Sequence, residues 1–157
     1  MKKVYDTINQ YCVEHDLLMN GDGIVIGLSG GVDSVCLLQV LAALRNEWQL
    51  RLVCVHVHHG IRGTAADEDA AFAQRLAAKY NISFRLYEMD IPQLAKEQGL
   101  SEEEAGRNYR YRCFEEVRKE LNFDKIAVAH HRDDQAETVL WQILRGSGLR
   151  GVCGMRA

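Results

Sequence analysis

The chain has 157 residues, 47% apolar and 26% charged, a length and balance that bury one real core and exclude disorder, collagen and coiled coil. No apolar run approaches the roughly 20 residues of a membrane span, and Met1-Lys2-Lys3-Val4-Tyr5-Asp6 lacks the apolar stretch and cleavage site of a signal peptide, so a cytoplasmic protein with no membrane partner is expected. Net charge is −3, but residues 105–157 carry 10 basic and 7 acidic groups against 4 and 9 over residues 64–104, so an RNA backbone would favour the last third.

Val4, Ile8, Tyr11, Cys12 and Leu18 have the spacing of a helix over 3–18. Asn20 to Gly23 is a turn. Ile24-Val25-Ile26-Gly27-Leu28 is short, apolar, rich in β-branched residues and bounded by glycine, the pattern of a buried parallel strand. Ser29-Gly30-Gly31 breaks it, and 32–46 reads as a helix with Val35, Leu38, Leu41 and Ala42 on one side. Leu50 to His58 is a second strand, Ala66 to Tyr80 a helix and Ile82 to Met89 a third strand. Pro92, the only proline, suits the first turn of a helix.

Ser101-Glu102-Glu103-Glu104 has the form of a capping box, with Ser101 accepting from a backbone N–H and Glu104 reaching back. Three carboxylates in that first turn suit the helix dipole, and the helix should run to about Leu121. Lys125 to Ala129 is a fourth strand and Asp133 to Leu144 a helix; from Arg145 the chain is glycine-rich and irregular. Strands alternating with helices predict an α/β fold, a parallel sheet with helices on both faces, whose ligands bind at the carboxyl ends of the strands.

The candidate chemistry collects at those strand ends. Ser29-Gly30-Gly31-Val32-Asp33-Ser34 lies between the first strand and its helix. Two glycines let backbone N–H groups approach an anion, the helix N-terminus adds donors and a positive dipole end, and both serines add hydroxyls. Asp33 can hold Mg²⁺ beside a phosphate. The loop has neither the lysine of Gly-x-x-x-x-Gly-Lys-Ser/Thr nor a Gly-x-Gly-x-x-Gly.

His56-Val57-His58-His59-Gly60 closes the second strand. His56 and His58 share a face and His59 points away, so two ligands without a defined third make a poor zinc set; cleft lining or strand-end packing fits better. Ala129 to Thr138 ends the fourth strand, and its helix sets Asp134, Glu137, Thr138 and Trp141 on one face. A carboxylate pair at i, i+3, with His130 one turn earlier, suits a cation, either an amine or Mg²⁺. Arg107 and Arg110 share a helix face with Tyr111 and Phe114, where guanidinium forks match carboxylate or phosphate and rings can stack on bases, although a solvated basic face fits the same residues. The five cysteines (Cys12, Cys36, Cys54, Cys113 and Cys153) are scattered, with no Cys-x-x-Cys, as expected of free thiols in a reducing compartment.

The loop hexapeptide resembles the signature of the PP-loop, or N-type ATP pyrophosphatase, superfamily. The ordered set of SGGVDS, HVHHGIRG followed by ADEDAAF with Asp67, Glu68 and Asp69, EAGRNYRYRCF, AHHRDDQAET and RGSGLRGVCGM, from Ile24 to Met155, is similar to its tRNA(Ile)-lysidine synthetase branch, with a departure at Gly106, where alanine is expected. The resemblance implies an adenine nucleotide alpha hydrolase-like, Rossmann-like fold, and a ligase that adenylates the wobble cytidine of CAU-anticodon isoleucine tRNA with ATP and joins L-lysine to it. It implies pyrophosphate on Ser29, Gly30, Gly31, Val32, Asp33 and Ser34, with Asp33 also on Mg²⁺. It places lysine or metal on Asp134 and Glu137, a polar or proton-handling role on His130, and the lysine carboxylate or a phosphate on Arg107 or Arg110. In that family further catalytic sequence and tRNA-gripping domains follow, so residues 1–157 are expected to form an incomplete PP-loop catalytic domain. The alternatives are a PP-loop tRNA cytidine thiolase, against which the scattered cysteines speak, and a nucleotide-binding fragment inactive on its own.

Overall fold

The computed structural model describes residues 2–58 and 64–129. In chain order they form α1 (Lys2–Glu14), β1 (Gly23–Gly27), α2 (Val32–Leu44), β2 (Arg51–His58), α3 (Thr64–Lys79), β3 (Ser83–Glu88), α4 (Ile91–Gln98), α5 (Glu102–Glu120) and β4 (Lys125–Val128). The strands make one parallel sheet in the order β3-β2-β1-β4. The expected α/β architecture is therefore present, and the helix expected over 133–144 lies outside the described residues.

Strand alternation sorts the core into two layers. Ile24, Ile26, Leu28 and Cys54 face Cys12 of α1, Leu37, Leu38 and Leu41 of α2, and Ala73, Leu76 and Ala77 of α3. Val25, Val53, Val55, Ile126 and Val128 face Ile91 and Ala95 of α4 and Ala105, Cys113, Phe114 and Val117 of α5. β1 and most of β2 are buried on both faces, which is why their sequences run apolar rather than alternating with polar residues.

α5 lies antiparallel to the strands. Phe114 presses on Gly27 at the carboxyl end of β1, and Phe123, just past the helix, presses on Gly23 at its amino end. A Cβ at Gly27 would stand 2.7 Å from the Phe114 ring, so glycine there is what lets the helix seat. The first three strands wind outward with α2 and α3 on one face. The chain then returns through α4 and α5 on the other face to place β4 beside β1. Strand order thus reverses between β1 and β4, and their carboxyl ends flank the crevice that such a switch point creates.

The helices share one stop. Asp16, Gln49, Asn81, Gly99 and Asn122 adopt positive φ, between 50° and 66°. Each is followed by an apolar residue, Leu17, Leu50, Ile82, Leu100 or Phe123, whose N–H returns to the carbonyl five residues back. This ends α1 at Glu14, before the Leu18 expected from spacing: Leu17 N–H turns back to the Cys12 carbonyl at 2.9 Å and carries the chain off the helix. At the other ends, Asp90 caps α4 by accepting from the Gln93 N–H, with Pro92 in the first turn. Ser101 caps α5 by accepting from the Glu104 N–H at 3.2 Å, as the capping-box pattern predicts.

Candidate functional site

β1 leaves the sheet into the Ser29–Ser34 loop at the switch point. Gly30 has φ +94°, a conformation that L side chains rarely adopt, and Gly31 is the N-cap of α2 in extended geometry. No side chain caps that N-terminus, so the first-turn amides face the mouth of the loop along the helix axis. The two serines brace the loop from inside. Ser34, buried, donates its hydroxyl to the Gly31 carbonyl at 2.9 Å, and Ser29 donates to Ser34 Oγ at 3.1 Å. Ser29 Oγ in turn accepts the Gly31 N–H at 3.3 Å.

Val32, the first residue of α2, is 85% exposed. Asp33 follows in the first turn of α2. The hexapeptide therefore forms the cradle that its composition implies: backbone N–H groups, hydroxyls and one carboxylate around a single turn.

His56 and His58 lie on the α2 face of β2, both buried, as strand alternation predicts. His56 Nδ1 is 2.7 Å from the Leu28 carbonyl, directly before the loop. Because a carbonyl only accepts, Nδ1 carries the proton and Nε2 the lone pair. Burial pushes the His56 pKa below its ordinary value, with the nearby His58 acting the same way, against the Leu28 hydrogen bond and Asp69. His58 Nε2 is 3.2 Å from Asp67 Oδ1 on α3. Asp69 of the same helix packs beside Gly30. Among the described residues, no group of three or more His, Cys, Asp or Glu side chains could hold a metal ion.

On the opposite face, Phe114 sits level with the end of β1, and Arg107 lies two helical turns beyond it, about 10 Å by helix rise. Arg107 stacks over the Tyr111 ring at 5.9 Å, and Tyr111 meets Phe114 edge-on at 6.0 Å. Arg107 is exposed and Arg110 half-buried on the same stretch. Tyr109 is buried, and its hydroxyl points to the Glu88 carbonyl at the end of β3. α5 thus carries Arg107 and Arg110 beyond Phe114 toward the carboxyl end of the sheet, the end that also bears the loop.

His130, Asp134 and Glu137 lie outside the described residues, as does His59. β4 ends at Val128 beside β1, and Ala129 follows it at the switch point. Sequence reasoning places Asp67, Glu68 and Asp69 after the histidine motif but misses the pairing of Asp67 with His58, the packing of Asp69 beside Gly30 and the contact from His56 to Leu28. The shared face of His56 and His58 was visible in the strand period, but their acidic and carbonyl partners come from other elements. Among the described residues no helix is long and apolar enough to cross a membrane.

The family model described as "PP-loop domain" matches residues 2–157. The chain is 49% identical over 156 residues to a tRNA(Ile)-lysidine synthase of Caldanaerobacter subterraneus subsp. tengcongensis, covering 99% of this chain and 32% of that protein. It is 41% identical over 154 residues to a tRNA(Ile)-lysidine synthase of Clostridium tetani, covering 98% and 32%. It therefore spans about a third of the length of these curated relatives. In structure it is similar to a U34-tRNA thiolase from Methanococcus maripaludis, solved with its 4Fe-4S cluster, at TM-score 0.65 and 23% identity over 80% of this chain and 43% of that one. That likeness shows a shared fold. With a glycine–serine loop at the switch point of a parallel sheet and a family match along nearly its whole length, the chain belongs to the PP-loop domain family.

Proposed function

We propose that this chain is the nucleotide-activating part of a tRNA(Ile)-lysidine synthase. It would use ATP to adenylate the wobble cytidine of CAU-anticodon isoleucine tRNA, and L-lysine would then replace the adenylate. The observation that carries this reading is the Ser29–Ser34 cradle, uncapped by any side chain, at the head of α2. The relatives' name supplies the reaction.

The chemistry follows from what the cradle offers. The C2 oxygen of cytidine attacks the α-phosphorus, and the bond to the β-phosphate oxygen breaks. Charge then accumulates on the departing pyrophosphate, where the amides at the head of α2 would stabilise it while the hydroxyls of Ser29 and Ser34 hold the loop in shape. Mg²⁺, when bound, would neutralise phosphate charge. Asp33 would hold it; this cation typically takes one or two carboxylates and completes its shell with phosphate and water oxygens. In the second step the lysine ε-amine attacks C2, AMP leaves with the oxygen, and the amine gives up its proton to a base. Asp134 and Glu137 would hold the amine or a metal, with His130 handling the proton. Arg107 or Arg110 would meet the lysine carboxylate or a phosphate.

The thiolase alternative is the weaker reading. Cys12, Cys36, Cys54 and Cys113 are free thiols dispersed over separate elements, and burial pushes the Cys54 thiol up to about 12. Sulfur transfer runs through thiolates, which burial of this kind suppresses.

Three measurements test the proposal. Labelled lysine, ATP–Mg²⁺ and an isoleucine tRNA transcript are incubated with the protein extended to its relatives' length, and label is sought on the RNA. Transfer is expected to require ATP and to fall in Glu137→Ala; full transfer in that variant would show that the second substrate sits elsewhere. The 157-residue chain alone is expected to bind ATP–Mg²⁺ by calorimetry. An ATP-soaked crystal with its triphosphate remote from residues 29–34 would overturn the assignment.

A further inference from the structure

In a parallel ladder an N–H on one side of a residue and a carbonyl on the other both pair with the neighbouring strand. β1 keeps the first half of this pattern one residue past its end, where Leu28 N–H donates to the Val55 carbonyl at 2.9 Å. Gly27 pairs with Val55, so continuing the register by one residue would set Leu28 opposite His56 and join the Leu28 carbonyl to the backbone N–H of Val57. The Leu28 carbonyl is met instead by a side chain, His56 Nδ1 at 2.7 Å. The next peptide is the one that opens the Ser29–Ser34 loop.

We propose that His56 is the positioning residue of the anion loop: its imidazole stands in for the next rung of the β1–β2 ladder and fixes the peptide from which the loop departs. The proposal rests on the reading that this loop holds the ATP phosphates. His56 does not touch the nucleotide in this account. It acts through the Leu28–Ser29 peptide, whose carbonyl and N–H point in opposite directions. Holding the carbonyl therefore also fixes the direction of the Ser29 amide.

Burial makes the arrangement exacting. His56 is 5% exposed on a face packed by α2 and α3, so the Leu28 carbonyl has no ready access to water and needs a protein donor. Only a side chain with a donor at the Nδ1 position supplies one. This separates two amide substitutions of similar polarity. Asparagine places its Nδ2 near the position of Nδ1, whereas glutamine places its amide near Nε2.

The test uses the 157-residue chain, ATP–Mg²⁺ calorimetry and thermal melts. His56→Asn is expected to retain the wild-type dissociation constant within about threefold, whereas His56→Gln and His56→Leu weaken binding by about tenfold or more. Melting temperatures serve to confirm that each variant is folded. Should His56→Leu fail to fold, the contrast between asparagine and glutamine decides. Independently of ATP, ¹⁵N spectra of the imidazoles are expected to show His56 protonated on Nδ1. An Nε2-protonated ring would overturn the proposal, as would folded His56→Gln binding like wild type or folded His56→Asn binding as weakly as His56→Leu. Failure of the wild-type chain to bind ATP would instead count against the functional reading, leaving the tautomer to decide the geometry.

Discussion

The two ends of the sheet are built on opposite terms. At the amino end, polar groups close on one another. Lys125 Nζ stands 2.7 Å from Asp22 Oδ2 and donates to the Leu17 carbonyl at 2.7 Å, while Asp22 also accepts the Met19 N–H. Asp124 accepts the Gly23 N–H at 2.7 Å and pairs with Arg51, whose guanidinium covers the Phe123 ring. These contacts join the turn before β1 to the start of β4 and hold β4 in register beside β1. At the carboxyl end β1 releases a loop whose amides, hydroxyls and carboxylate gather around one turn. The contrast separates roles: one end is closed by ion pairs between its own side chains, the other leaves the head of α2 without a side-chain cap.

Mutations should respect that division. The largest expected effect is at the amino end. Asp22→Ala strips the nearly buried Lys125 of its counter-ion and leaves the Met19 N–H without its carboxylate. It should cost roughly 3 kcal/mol in urea unfolding, in the range for breaking a buried pair. ATP affinity of the folded fraction should stay unchanged; a loss there would join the two ends that the structure separates.

At the carboxyl end the order of effects inverts. Gly30→Ala puts a Cβ on a residue at φ +94°, where the space beside Asp69 is adequate but the backbone conformation is strained. The strain is of order 2 kcal/mol, which should appear as a roughly thirtyfold loss of ATP affinity with little change in melting temperature, because the loop can relax without the core. Asp33→Ala should weaken ATP binding roughly tenfold in the presence of Mg²⁺ and much less in its absence, as expected of a single carboxylate on a shared cation. Equal calorimetric affinity of Asp33→Ala and wild type in Mg²⁺ would remove that role.

The sequence announced the two ends unequally. The cradle was legible because its chemistry is local: six consecutive residues straight after an apolar strand, with glycine where φ must be positive. The strands and their burial on two faces followed from the β-branched runs at Ile24 to Leu28 and Leu50 to His58. Helix ends were less legible, because four of the five left-handed stops fall on Asp16, Gln49, Asn81 and Asn122 rather than glycine. Nor could the pattern show which partners distant elements supply. The Asp22–Lys125 pair spans 103 residues and the His56–Leu28 contact spans 28. Each is set by strand register, and register becomes known only once β1 is flanked by β2 and β4.

The smallest expected effect sharpens the same contrast through pH. Burial holds the His56 pKa below its ordinary value of 6.5, with His58 adding to the depression while the Leu28 hydrogen bond and Asp69 oppose it. On acidification the unfolded chain therefore takes up the His56 proton first. Stability is full above about pH 6.5 and is lost as pH falls toward the lower native value, because the unfolded state binds more protons throughout that window. The slope from this one site cannot exceed about 1.4 kcal/mol per pH unit. His56→Asn removes the titrating group while keeping a donor for Leu28, so urea titrations between pH 7 and 5 should show a shallower acid loss than wild type. Asp22→Ala should leave that part of the slope intact, since its pair lies at the other end of the sheet. An unchanged slope in His56→Asn would mean that the imidazole takes up its proton as readily when folded as when unfolded, which a ring donating from Nδ1 inside this core should not do.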